Sequence, residues 1–321
     1  MSRTIAPHMP ASVLAGVLAA ATALLVAAAA SHAHAGQAPE TAADRGPPQE
    51  QSLRAMTYNI QHARGVDDEV SVSRIADVID EADPDVVGLQ EVDVHWGERS
   101  DFRDQAGELA DRLDMHVVFA PIYSFEPADT DPPPGQQQRE EYGTAILSDY
   151  PIIEEHNHEI MRYARWVGDD PEPERFPGFG EVTINVAGTH VQVFNTHLQS
   201  SSNGSQIDID VRAEQVVDML ELIDDDPDTT LLLGDLNEDR DWPEDTIVPL
   251  FDVFTDAWEV AGEGDGYTAY DLDPDRRIDH VLASPDMEVE HAHVPESGAS
   301  DHFPVVADLT FDRDPGRAGL R

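Results

Sequence analysis

Short apolar runs that end abruptly in a polar or charged residue recur along this chain, and they constrain the fold more than any other feature. Val86-Val87-Gly88-Leu89 runs into Gln90-Glu91, Val193-Phe194-Asn195-Thr196 into His197, and Leu231-Leu232-Leu233-Gly234 into Asp235 and Asn237. The segment 53–60 carries Asn59 near its end, Ile278 leads into Asp279-His280, and Asp301-His302 stand just ahead of Phe303-Pro304-Val305. Such runs are the signature of buried strands. Side chains at strand ends in a rigid sheet are held with little positional slack, so distant segments can share one site.

Between these strands the spacing predicts helices over 71–82, 102–113 and 211–223. The first has Ile75, Val78, Ile79 and Ala82 on one face and stops at Asp83-Pro84. The second has Ala106, Leu109, Ala110 and Leu113 inward. Further strands are expected at 117–120, 144–147, 180–186, 190–196, 230–233, 278–283 and 305–311, with loops at 129–138 and 200–205. The 180–186 and 190–196 strands are joined too closely for a parallel crossover and should form an antiparallel hairpin. The residues alone therefore predict a β-sandwich with helices on its outer faces.

The ends read differently. Residues 1–12 hold one charged side chain, Arg3, before an Ala/Leu/Val run at 13–30 and the small-x-small triplet Ala33-His34-Ala35. Residues 1–35 thus read as a secretory signal peptide, and the protein as secreted and extracellular. The rival is an uncleaved apolar segment anchoring the chain in a membrane. Residues 36–52, rich in Pro, Gln, Gly and Ala, read as a disordered linker. Residues 53–312 make the folded domain and 313–321 a tail. The absence of cysteine excludes disulfides, thiolate nucleophiles and Cys–zinc sites.

Charge narrows the partners. All 19 basic residues are arginine and face 65 acidic ones scattered along the whole chain, for a net charge of −46. That balance opposes binding to nucleic acid at ordinary salt, and no basic cluster offsets it. Self-repulsion at this density is relieved by salt, so a halophilic protein is expected.

Carboxylates, amides and imidazoles without cysteine suit a hard divalent cation such as Mg²⁺ and the hydrolysis of a phosphate ester. Each motif alone also has a plainer reading. An Asp after a buried strand often caps a turn, a His near a strand end is often structural, and Gln-Glu there is often solvated.

Taken in order, Thr57-Tyr58-Asn59-Ile60, Gly88-Leu89-Gln90-Glu91-Val92, Tyr142-Gly143-Thr144-Ala145-Ile146-Leu147-Ser148, Asn195-Thr196-His197-Leu198, Gly234-Asp235-Leu236-Asn237, Arg277-Ile278-Asp279-His280-Val281 and Ser300-Asp301-His302-Phe303-Pro304-Val305 form a recognisable set. This set is similar to the endonuclease/exonuclease/phosphatase superfamily, which includes DNase I-like nucleases, abasic-site endonucleases, neutral sphingomyelinases and inositol polyphosphate 5-phosphatases. The resemblance spans 53–311. It implies an α/β fold, a four-layer α/β/β/α sandwich of the DNase I type, with 53–312 as its catalytic domain. It also implies metal-assisted attack of an activated water on phosphorus.

By the same resemblance Glu91 is the main metal ligand, with Asn59 and Asp301 on the metal side. Asp235 orients or deprotonates the attacking water, Asn237 holds the phosphoryl group, and His302 contacts phosphate and moves a proton. Asp279 orients His302. His197 stabilises negative charge or protonates the leaving oxygen. Mg²⁺ is the implied cofactor, with Mn²⁺ or Ca²⁺ as alternatives. Some members place an acid two residues after the first-strand Asn; here Gln61 stands there, which favours one principal metal.

His62 and Arg64 either touch substrate phosphate or serve a turn. Arg99 and Arg139, in long loops, are further candidate substrate contacts, whereas Arg276 and Arg277 read as ion-pair partners of neighbouring aspartates. The sequence around His197 resembles the sphingomyelinase, phosphatase and deadenylase branches more than DNase I-like enzymes. A small or lipid-derived phosphoester is therefore the expected substrate, with an extracellular nuclease as the alternative. A catalytically inactive binding protein comes third, because every core motif is intact. No protein partner is implied, and a monomer is expected.

Overall fold

A computed structural model describes residues 50–127, 138–165, 167–168, 171–201, 204–223, 229–269 and 274–313. The 13–30 apolar run, the linker to residue 49, most of the 129–138 loop and the tail beyond 313 lie outside the described residues. Among the described residues no helix is long and apolar enough to cross a membrane.

In chain order the elements are β1 (Glu50–Asn59), α1 (Val72–Ala82), β2 (Val86–Val94), α2 (Gln105–Leu113), β3 (His116–Phe125), β4 (Glu140–Ser148), β5 (Ile152–Arg162) and β6 (Glu174–Val186). There follow β7 (Thr189–His197), α3 (Gln206–Leu222), β8 (Thr230–Asp235), α4 (Val248–Phe251), β9 (Thr255–Asp256), α5 (Ala257–Ala261), β10 (Asp279–Ala283), β11 (Glu288–His293) and β12 (Val305–Asp312). They form two six-stranded sheets, ordered β11-β12-β1-β2-β4-β3 and β5-β6-β7-β8-β10-β9.

Three apolar layers hold four layers of structure together. Ile75 and Ile79 of α1 and Leu109 of α2 pack on Met56, Tyr58, Val87, Leu89 and Leu147 of the first sheet. Val216 and Met219 of α3 and Leu250 of α4 pack on Phe179, Phe194, Leu232 and Leu282 of the second. Between the sheets lie Leu53, Ala55, Val86, Ile184, Val193, Leu231, Leu233, Val281 and Leu309. This is the four-layer α/β/β/α sandwich. The helices start and stop on local chemistry: Ser71 caps α1, Asp104 caps α2, and Asp83 ends α1 in a left-handed conformation just before Pro84.

The 180–186/190–196 hairpin is present as β6–β7, closed by Ala187-Gly188, both with positive φ as a two-residue hairpin turn favours. One boundary needs correction. Residues 50–52, assigned to the linker from composition, are already strand: Glu50, Gln51 and Ser52 pair with Asp312, Phe311 and Thr310. Backbone pairing with the last strand fixes them, and that needs no apolar side chains.

Topology decides where chemistry can collect. The two parallel pairs are β1 with β2 and β7 with β8, each joined through a helix. Their carboxyl ends carry Asn59 beside Gln90, and His197 beside Asp235. β10 and β12 run antiparallel to these strands, so they begin where the parallel ones end. Asp279, the first residue of β10, therefore lies directly across from Asp235, and Asp301-His302 sit just before β12, beside the end of β1.

Candidate active site

Side-chain alternation carries the inter-sheet layer straight into the site. In β8, Leu231 and Leu233 face the opposite sheet, and Asp235 follows at the same parity; in β7, Val191 and Val193 are followed by Asn195 and His197. In β1 the series is Leu53, Ala55, Thr57, Asn59, and in β10 it is Ala283, Val281, Asp279. One face thus turns from apolar to polar along its length.

The transition is a buried network. Gln90 Nε2 donates to Asn195 Oδ1 at 2.7 Å and to Thr57 Oγ1 at 3.0 Å, while Asn195 Nδ2 donates to the carbonyls of Leu89 and Ala145, both at 2.9 Å. Gly88 lets the sheets approach here: a Cβ would lie 2.8 Å from Leu233 Cβ and 2.9 Å from Asn195 Oδ1.

Glu91 reaches the site by a device invisible to alternation. Leu89 points to the helix layer, so a regular strand would send Glu91 there too. Instead the β2–β4 register shifts between Leu89 and Val92, and Glu91 has φ +58°. This bulge places Val92 back in the helix-side core and leaves Glu91 on the site side.

The result is two poles bridged by Asn59. Asn59 Nδ2 donates to Asp235 Oδ2 at 3.0 Å and approaches Glu91 Oε1 at 3.4 Å. On the first pole, Gln61 Nε2 donates to Asp301 Oδ2 at 2.7 Å. A carboxylate only accepts, so Gln61 turns its amide nitrogen toward Asp301. Ser300 Oγ donates to the Asn59 carbonyl at 2.8 Å and ties the segment before β12 to β1. Burial raises the Glu91 pKa, and the nearby Asp301 carboxylate adds to the rise.

On the second pole, His302 Nδ1 bonds Asp279 Oδ2 at 2.8 Å, while its Nε2 lies 4.0 Å from Asp235 Oδ2. His197 Nε2 lies 3.5 Å from the same Asp235 oxygen. Asn237, in a left-handed conformation that Asn tolerates, donates its backbone N–H to Asp235 Oδ1 at 2.9 Å and its side-chain amide to the Leu198 carbonyl at 3.0 Å. Arg212, fully buried on α3, fixes this loop by donating to the Asn237 and Gln199 carbonyls while pairing with Glu238 at 2.6 Å.

Electrostatics separates the two histidines. Burial opposes charge on His302, but the Asp279 carboxylate, then Asp235 and Asp301, outweigh it and raise its pKa to about 10. His197 is pushed down to about 3 by burial, with Arg162 and His302 adding to the fall. One imidazole is thus a cation and the other neutral. Burial and the Asp279 charge raise Asp235.

Four carboxylates, those of Glu91, Asp235, Asp279 and Asp301, thus converge on one strand-end region, two with pKa values driven up. Asp235, Asp279 and His302 offer ligand atoms within 4.8 Å of one another, and Asp279 Oδ1 is buried without a partner. The His302–Asp279 bond accounts for part of that cluster. Both poles are oxygen-rich and carry excess negative charge, so the residues fit a hard divalent cation.

Two further sequence-derived candidates have partners of their own. Arg64 is half-exposed and pairs with Asp68. His62 is kept neutral, its pKa lowered to about 4 by burial, with Arg99 reinforcing the fall. Its carbonyl accepts from Gln105 Nε2, and its Nδ1 is buried with no partner. Arg99 grips the buried Asp93 through Nε and Nη2 and stacks over Trp96 and Tyr142, and Arg139 pairs with Glu126 at the rim. Arg276 and Arg277 pair with Asp275 and with Asp256 and Glu259, as expected. Arg162, Arg212 and the Gln90–Asn195 bridge were not singled out for a role by the residues. Only the Gln and Asn at strand ends carried any signal.

The sequence profile described as "Endonuclease/Exonuclease/phosphatase family" matches residues 56–302. Among solved structures, an endonuclease/exonuclease/phosphatase from Beutenbergia cavernae is similar at TM-score 0.63 and 28% identity, over 81% of this chain and 72% of that one. A mannosyl-6-phosphatase from Bacteroides thetaiotaomicron is similar in fold at TM-score 0.55 and 20% identity, over 80% and 99% of the two chains. Truncated Caenorhabditis elegans TDP2 gives 0.53 and 21%, over 80% and 97%. No curated protein matches the chain.

Proposed function

Since this chain belongs to the endonuclease/exonuclease/phosphatase family, whose members hydrolyse phosphoesters, we propose that it is a divalent-metal-dependent hydrolase of a small or lipid-derived phosphoester. The observation that carries the reading is the bridge made by Asn59 between Glu91 and Asp235, which joins an oxygen-rich pole to an acid–base pole.

Glu91, with Asn59 and Asp301, would hold the cation, Mg²⁺ before Mn²⁺ or Ca²⁺. Bound there, it would neutralise charge on the phosphoryl oxygens. Asp235, its proton affinity raised by burial, takes the proton of the attacking water. The Asn237 amide, which donates to the Leu198 carbonyl, is placed to hold a phosphoryl oxygen. His302, held as an imidazolium by Asp279, contacts phosphate and supplies a proton. His197, neutral, stabilises the leaving oxygen by hydrogen bonding.

The net charge of −46 favours a small substrate over a nucleic-acid backbone, since among the described residues the rim arginines Arg64 and Arg139 are already neutralised. The N-terminal pattern supports export from the cell, and the dispersed acids support work in high salt.

The test is a substrate panel with the purified protein and Mg²⁺ at low and molar salt: plasmid and single-stranded DNA, RNA, bis-p-nitrophenyl phosphate, phosphomonoesters and phospholipids. Turnover of the small or lipid esters, abolished by chelation, is expected. DNA or RNA cleavage with little turnover of the others would establish the nuclease reading instead. No turnover of any member would leave only the inactive binding protein.

A further inference from the structure

Among the described residues two arginines are almost completely buried, and they are treated in opposite ways. Arg212 pairs with Glu238 and also donates to Thr246 and Ser201. Arg162, at the end of β5 and 5% exposed, pairs with no carboxylate among the described residues. Its Nη1 donates to the His197 carbonyl at 2.9 Å, its Nη2 reaches the Gly178 carbonyl at 3.4 Å, and its Nε is buried with no partner. The ionisable groups beside it are two tyrosines, Tyr123 and Tyr142, whose phenols burial keeps protonated and uncharged.

A guanidinium stays charged in a protein, so burial cannot be relieved by deprotonation. An unpaired buried charge is strongly unfavourable. In a chain with 65 acids and 19 bases, a missing counter-ion is not for want of carboxylates. The place is also specific: Arg162 holds the backbone of His197, whose imidazole faces Asp235. Aromatic rings surround this side of the site. Tyr123 stacks with Tyr142 and meets Phe176 edge-on, and such walls weaken screening.

We propose that Arg162 is a positioning and charge-balancing residue of the phosphoryl site, and that the substrate's own phosphoryl anion is its missing counter-charge. The inference rests on the phosphoester-hydrolase reading and adds to it a preference by charge. A fixed cation gains in proportion to the charge it faces, so a dianionic phosphomonoester benefits more than a monoanionic phosphodiester. The competing role is a plain backbone clamp that ties β5 to the carbonyls of β6 and β7.

The experiment compares wild type, Arg162→Met and Arg162→Lys in Mg²⁺ by three readouts: calorimetric binding of inorganic phosphate, thermal melting, and kcat/KM on p-nitrophenyl phosphate and bis-p-nitrophenyl phosphate. Arg162→Met should weaken phosphate binding roughly tenfold or more, and should cost kcat/KM about tenfold on the diester and about a hundredfold on the monoester. It should melt no lower than wild type, because it removes a charge buried without a counter-ion. Arg162→Lys, which keeps the charge, should recover most of the binding. Phosphate binding unchanged in Arg162→Met, or equal losses on the two esters with a lowered melting temperature, would overturn the proposal in favour of the clamp. If Arg162→Met fails to fold, Arg162→Lys decides: lost binding despite the retained charge overturns the proposal. Wild type that binds no phosphate overturns it outright. Wild type that binds phosphate but turns over no panel substrate sinks the hydrolase reading alone, and the binding ratios still decide on Arg162.

Discussion

The two ends of the layer between the sheets are made of the same strands and differ in almost everything else. At one end Leu53 lies opposite Leu309, with Ile184 and Leu231 close by in the same core, and no polar side chain is needed. At the other, Asn59, His197, Asp235 and Asp279 occupy the same face and crowd like charges out of water. The first end supplies burial free energy, and the second consumes it. A buried, hydrogen-bonded Gln90–Asn195–Thr57 seam separates them. The polar end is tolerable because the same rigid strands are anchored a few residues away.

That contrast can be broken by substitution. Asp235→Asn and His302→Ala should each lower kcat by roughly 10²–10⁴-fold; Asp235→Asn should leave urea stability at or above wild type, whereas His302→Ala should lower it, because it leaves Asp279 buried without its imidazolium. Near-normal rates in either variant would remove the assigned role. At the opposite end, Leu309→Ala should cost about 2–5 kcal/mol in urea unfolding and leave kcat/KM unchanged. A large kinetic loss there would show that the two ends are not separable.

The seam should behave as a hybrid. Asn195→Ala strips the Leu89 and Ala145 carbonyls of their donor and should cost about 1–3 kcal/mol, with a fall in kcat smaller than that of Asp235→Asn. Loss of stability without any kinetic effect would make the seam purely structural.

The smallest effect is a pH dependence confined to the polar end. His62 and His197 have folded pKa values lowered to about 4 and about 3, from 6.5. Between those values the unfolded chain binds protons that the native one refuses, so stability is full above pH 6.5 and falls as pH drops toward 4 and 3. His62→Gln should flatten the upper part of that slope in urea melts. An unchanged slope would place the titration elsewhere.

Much of this was legible in the sequence, and what was hidden was hidden for physical reasons. Asn59, His197, Asp235 and Asp279 end or begin apolar strands, so the break in hydropathy announces them. Glu91 was legible as a motif but not as geometry, since only a bulge turns it to the site. The strands β5 and β11 escaped notice because they lie at sheet edges and read Ile-Ile-Glu-Glu-His-Asn-His-Glu and Glu-Val-Glu-His-Ala-His; edge strands are charged and lack the clean alternation of central ones. Arg64 and Arg139, candidate substrate contacts in a chain short of cations, each pair with a surface carboxylate, which only the packing shows. Arg162 gave no signal, because a missing counter-ion is a property of three-dimensional packing.

The shared parity of the site residues has a consequence for how such a protein can diverge. Deleting one residue within β8 would exchange Asp235 for a neighbour of opposite facing and drive a carboxylate into the Phe194–Val216–Leu232 core. The same change in β1, β7 or β10 would do likewise. Insertions beyond the strand ends, between 95 and 104 or 238 and 255, leave every facing intact. Lineages descending from this fold are therefore free to rebuild the rim by length changes, and with it the choice of substrate, while the strands beneath can vary only by substitution.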